Sequence, residues 1–186
     1  MSLPGDGRIT TEMLLAGALI FAVVDAAFLP LLAWRVRREV FLESRWALAG
    51  ATALFWFGVW SLVLAIFWDT IYRYVFPGWA RPLIPPVYGL AFGGLSLFFC
   101  WLARRQSFHP VVIFCLLGGC WGVVTHILAV QLGIVTKPPM LQGASPVAAV
   151  VIAAFEFTFY WCIITSIGVL AQLAARRIGR PARRPR

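Results

Sequence analysis

At 186 residues, 61% hydrophobic and only 12% charged, with a mean hydropathy of +0.86, the chain has the composition of a membrane protein. A soluble domain carries about 45–50% apolar and about 25% charged residues, so an ordinary water-soluble fold is excluded. The net charge of +9 is gathered at the ends of apolar stretches, which argues against nucleic acid as a partner.

A hydrocarbon core about 30 Å thick takes about 20 predominantly apolar residues per helix. Five segments qualify, at about 12–34, 46–68, 84–103, 110–134 and 147–174. The expected fold is an all-α integral membrane bundle of five transmembrane helices forming one domain over 1–175. A basic, disordered tail over 176–186 follows it.

The short lead before the first segment holds Pro4, Gly5 and Gly7, which suit a frayed end. The first segment has no basic stretch before it and runs directly into Arg35, Arg37 and Arg38, so it reads as a membrane helix rather than a cleavable signal peptide. Arg45, Arg104, Arg105 and the arginines from Arg176 onward fall on the same side as these. Arg8, Arg73, Arg81 and Lys137 fall on the other. The positive-inside rule then puts the N-terminus outside and the C-terminus in the cytoplasm of a multi-pass cell-membrane protein.

The second segment is rich in aromatic residues and ends in Asp69, which stands at i,i+4 spacing from Arg73. The loop over 70–86 interleaves Tyr72, Tyr74, Phe76 and Trp79 with Arg73 and Arg81 and is broken by prolines. It suits either the headgroup layer or a lid over an outward-opening cavity. The third and fourth segments carry Gly89-x-x-x-Gly93 and Gly118-x-x-x-Gly122, a spacing that lets helix backbones approach closely. Packing within the chain is the first reading of these faces, and homo- or hetero-oligomers through them are the second. The C-terminal arginines suit a topology anchor or a site for anionic lipid.

Asp25, His126 and Glu156 are ionisable residues well inside apolar segments. A charge at mid-helix costs roughly 2.5–3.5 kcal/mol on insertion scales, so such residues are functional candidates. At about 1.5 Å per residue, His126 and Glu156 both lie about 12–14 Å from the external end of their helices, and Asp25 lies nearer the midplane. Tyr160 follows Glu156 at i+4. A Glu–Tyr pair with a facing His is an acid/base assembly, so the catalytic candidates are Glu156, His126, Asp25 and Tyr160. Helix glue through protonated carboxyl groups is the structural alternative.

No cofactor or metal is expected. The four cysteines have no ligand spacing, the two histidines argue against a bis-His haem, and Lys137, the sole lysine, lies in a loop. The nine tryptophans and 15 phenylalanines exceed what interface belts require. Trp56, Trp60, Trp121 and Trp161 are the deep ones. With Asp69 and Arg73, they are the substrate-binding candidates, because aromatic faces stabilise a cation.

The stretches AFGGLSLFFCWLARR and PVVIFCLLGGCWGVVTHILAVQLG resemble helices of membrane-embedded terpene cyclases. The five-helix plan is similar to that of emopamil-binding-type sterol isomerases. This resemblance implies a membrane cavity that handles a carbocation and a lipophilic, isoprenoid-like substrate. It carries over no catalytic residue: the second segment, FWFGVWSLVLAIF, lacks the His and Glu that those isomerases hold there. The functional expectation is intramembrane acid/base chemistry of isomerase or cyclase type on a lipophilic small molecule. A scaffold or assembly subunit and a proton-coupled transport component are the alternatives.

Overall fold

The structure is a computed structural model that describes residues 10–69, 76–131 and 144–178; of Phe67 and of 126–131 only the backbone is described. Among these residues it is all-helical. Five long helices are α1 (Thr11–Arg35), α3 (Arg45–Phe67), α4 (Ile84–Arg104), α5 (Pro110–Gln131) and α6 (Pro146–Ile178). A short α2 (Arg38–Glu43) and a 3₁₀ turn at Gly78–Ala80 complete it.

Four of these helices, α1, α3, α4 and α6, are long and apolar enough to cross a membrane; in α5 the apolar stretch within the described side chains is Pro110–Thr125. Large apolar side chains cover the outside, with Leu90 75% and Leu54 74% exposed. An exterior of this kind is what a helix bundle presents to lipid tails. The chain is therefore a membrane protein in class.

The elements end where local chemistry ends them. The Thr10 hydroxyl accepts from Met13 N at 3.3 Å and caps α1. Pro85 sits in the first turn of α4, where a missing N–H costs nothing. At the arginine-rich end α1 gives way to α2, whose Phe41 is fully buried and packs edge-on against Phe114 of α5, 5.4 Å between ring centres. Arg38 donates to the Gln106 carbonyl at 3.0 Å, and Arg176 pairs with Glu43. The apolar pattern ends the last segment at 174 with a tail from 176, whereas α6 continues to Ile178 and carries Arg176 and Arg177 on its last turn. The rest of that tail, from 179 onward, lies outside the described residues.

Contacts fix the direction of each helix. Ser145 N donates to Thr11 Oγ1 at 2.9 Å at the head of α6, so α1 and α6 run parallel. Leu48 lies at Gly168, and Trp56 stacks near Phe157 with ring centres 5.2 Å apart, which makes α3 antiparallel to α6. Gly89 and Gly93 bring α4 against α3: a β-carbon at Gly89 would stand 2.7 Å from the Ala53 carbonyl oxygen. Gly118 faces Trp161 and Gly122 faces Phe157, so α5 is antiparallel to α6. Both Gly-x-x-x-Gly spacings are thus used inside the chain.

These pairings make α6 the central helix. It packs on α1, α5 and α3, while α4 closes the outside by bridging α3 and α5. Among the described residues α1 and α3 share no comparable packing. Among the described residues the ring around α6 is therefore open on one side, and that sector positions the candidate site.

Candidate functional site

Residues along α6 are sorted by azimuth, about 100° per position. Phe157, Thr158 and Trp161 face the glycines of α5. Phe159 points to α1, where Phe21 and Phe28 meet it at 5.6 and 6.4 Å between ring centres. Tyr160 points to α3 and meets Phe55 at 5.6 Å and Trp56 at 6.1 Å. Glu156 falls between the Phe159 and Tyr160 directions, in the open sector. The same stripe continues through Ile163 to Ile167 and Leu170, which are 48% and 64% exposed.

The Tyr160 hydroxyl donates to Glu156 Oε1, so the i+4 pair read from the sequence is formed. Both side chains are partly buried. Of the expected aromatic residues, Trp56 is buried between Phe92 and Phe157 at 4.5 and 5.2 Å, and Trp60 lies on Tyr88 at 4.3 Å, so both belong to the packing of α3. The result is a half-buried carboxyl held by a phenol that Phe55 and Phe159 flank. It can donate a proton to an apolar molecule and take one back, and its rings can stabilise positive charge formed in between.

The other expected residues distribute differently. Asp25 is 6% exposed on the α1 stripe of Leu14, Ala18 and Leu32, and neither carboxyl oxygen has a hydrogen-bond partner among the described residues. It lies within electrostatic reach of Cys115, whose Sγ is 3.6 Å from Thr165 Oγ1. Thr165 is half a turn around α6 from Glu156, and among the described residues no hydrogen bond joins Asp25 to the Glu–Tyr pair. A buried carboxyl without a partner costs about 1–3 kcal/mol. Asp25→Leu is accordingly expected to raise the melting temperature of the detergent-purified protein, followed by tryptophan fluorescence; a lower melting temperature would reveal an interaction that the geometry does not contain.

Of His126 the backbone alone is described, on α5. The register that sets Gly122 against Phe157 carries its backbone opposite Ala153, one turn from Glu156. Trp161 is fully buried between Phe114 and Phe99, at 4.9 and 5.3 Å, and belongs to the packing core rather than to the open sector. Trp121 packs partly buried against the same core. Helix α3 ends at Phe67, ahead of Asp69, which is exposed; Arg73 lies outside the described residues. Sequence reasoning missed Phe21, Phe28, Phe55 and Phe159. The i,i+4 and i,i+3 spacing of Phe21 and Phe28 about Asp25 marks a shared α1 face, but nothing local says which helix it meets. No group of three or more metal-ligating side chains occurs among the described residues. No protein-family model, curated protein or solved structure matches the chain.

Proposed function

We propose that this is a five-crossing membrane protein, N-terminus outside and C-terminus cytoplasmic, that performs acid/base isomerisation or cyclisation on a lipophilic, isoprenoid-like substrate. The alternating directions of α1, α3, α4, α5 and α6 support five crossings, and the arginines at the shared end support the orientation.

The observation that carries the chemistry is the Tyr160–Glu156 hydrogen bond in the sector of α6 left open between α1 and α3. A substrate dissolved in the bilayer reaches this sector sideways, without crossing water. Glu156 as a carboxylic acid transfers its proton to an alkene carbon, forming a C–H bond and leaving a carbocation. The resulting carboxylate removes a proton from a neighbouring carbon, which restores the acid and yields a shifted double bond or a closed ring. Phe55 and Phe159, the rings beside Tyr160, stabilise the cation, and Tyr160 holds the carboxyl in place.

The apolar stripe through Ile163, Ile167 and Leu170 also suits a helix of another subunit, which keeps the scaffold reading as the alternative. Mass spectrometry of small molecules that co-purify with wild type and with Glu156→Gln separates the two. A discrete isoprenoid-like species whose amount or structure changes with the substitution supports the enzyme. Bulk phospholipid alone in both samples supports the scaffold.

A further inference from the structure

At the arginine-rich end, away from Glu156, a groove of about 400 Å³ opens where the α2–α3 corner meets the last turn of α4. Leu42, Glu43, Arg45, Trp46 and Arg104 line it. Its one carboxylate, Glu43, is engaged by Arg176 of α6. Arg45 and Arg104 come from different helices, are exposed, and have no carboxylate partner among the described residues. The Arg45 guanidinium lies over the Trp46 ring, 5.7 Å from its centre, which leaves its N–H edges free to donate.

The backbone adds to this positive field. Ser44 turns its hydroxyl back to the Val40 carbonyl at 2.6 Å instead of capping α3, so the first turn of that helix has no side-chain acceptor for its N–H groups. Apolar surface flanks the charges on the lipid side, in Leu42 and in Trp46, which is 68% exposed. Arg35 over Trp34 at 4.6 Å and Arg105 over Trp101 at 3.8 Å show the same cation–ring pairing at the neighbouring helix ends, and together these rings mark the headgroup plane. The groove therefore sits at the depth of a lipid phosphate and offers it two unpaired guanidinium groups, with an apolar wall for the glycerol and first methylenes.

We propose that this groove binds one anionic phospholipid, its phosphate held between Arg45 and Arg104 and its chains running down the lipid face of α3 and α4. The proposal is independent of the chemistry at Glu156. Paired guanidinium groups favour an anionic headgroup because a zwitterionic one presents its own cation to the same arginines.

The test is electron paramagnetic resonance of spin-labelled phosphatidylglycerol and phosphatidylcholine in phosphatidylcholine vesicles containing the full chain. Wild type, Arg45→Gln/Arg104→Gln and Arg35→Gln/Arg37→Gln are compared; both doubles remove two exposed charges from the same end. Wild type is expected to prefer phosphatidylglycerol over phosphatidylcholine. The Arg45/Arg104 double should lose roughly fivefold to tenfold of that preference, and the Arg35/Arg37 double should keep most of it. Equal losses in the two doubles would show a diffuse surface charge and overturn the site, as would full retention in the Arg45/Arg104 double. Displacement of the labelled lipid by millimolar inorganic phosphate at constant ionic strength would also overturn it, since the groove would then hold a free anion.

Discussion

Glu156→Gln protein is expected to lose turnover by roughly 10²–10⁴-fold, the usual contribution of a positioned acid or base, while folding and inserting like the wild type. Glutamine keeps the shape of the side chain and can still accept the Tyr160 hydrogen bond, but it has no proton to give. Because Glu156 is only partly buried and glutamine has nearly its shape, the substitution leaves no cavity and no unpaired buried partner. Tyr160→Phe is expected to cost less, on the order of tenfold, since the acid remains and only its positioning donor is lost. The assay is conversion of the co-purifying species by protein in proteoliposomes. Wild-type turnover in Glu156→Gln would remove the acid/base assignment altogether.

Gly118→Ala should lower stability by about 1–3 kcal/mol, the range for overpacking a filled core, although alanine is the better helix former by about 1 kcal/mol. A β-carbon there would fall on the indole of Trp161. That ring cannot step aside, because it is fully buried with Phe114 and Phe99 against it. The helices α5 and α6 would have to separate, and with them the helix that carries Glu156. Gly94 makes the control: a β-carbon added there meets nothing within 4 Å, so Gly94→Ala should be neutral or slightly stabilising. Thermal unfolding in detergent distinguishes the two variants, and equal melting temperatures would show that close approach at Gly118 is not required.

Position along each helix axis was legible in the sequence, because apolar length and flanking arginines fix where a segment enters and leaves its apolar span. Glu156 with Tyr160 at i+4 follows from helical spacing alone, and the pair is formed. Azimuth was not legible. Asp25 and Glu156 both read as members of one acid/base site, yet among the described residues Asp25 is enclosed with no hydrogen-bond partner, whereas Glu156 is half-buried and paired with Tyr160. Which face of a helix meets which neighbour depends on the order of packing around α6, and apolar residues all round α1 and α3 leave no stripe to reveal it. Helix α2 was missed for a related reason. Its six residues carry Arg38, Glu39 and Glu43 among apolar ones, too short for a periodicity, and only the burial of Phe41 shows why the chain turns inward there.

The measurement that bears most directly on the central claim, a carboxyl on α6 open to lipid between α1 and α3, is labelling of the protein in vesicles with dicyclohexylcarbodiimide. This apolar reagent enters the bilayer and adds to protonated carboxyl groups, and the modified residue is then located by peptide mass spectrometry. An adduct is expected on Glu156, none on the enclosed Asp25, and loss of the adduct in Glu156→Gln. Labelling of Asp25 with Glu156 untouched would contradict it, placing the lipid-accessible carboxyl on α1 and closing the sector in which the chemistry is proposed to occur.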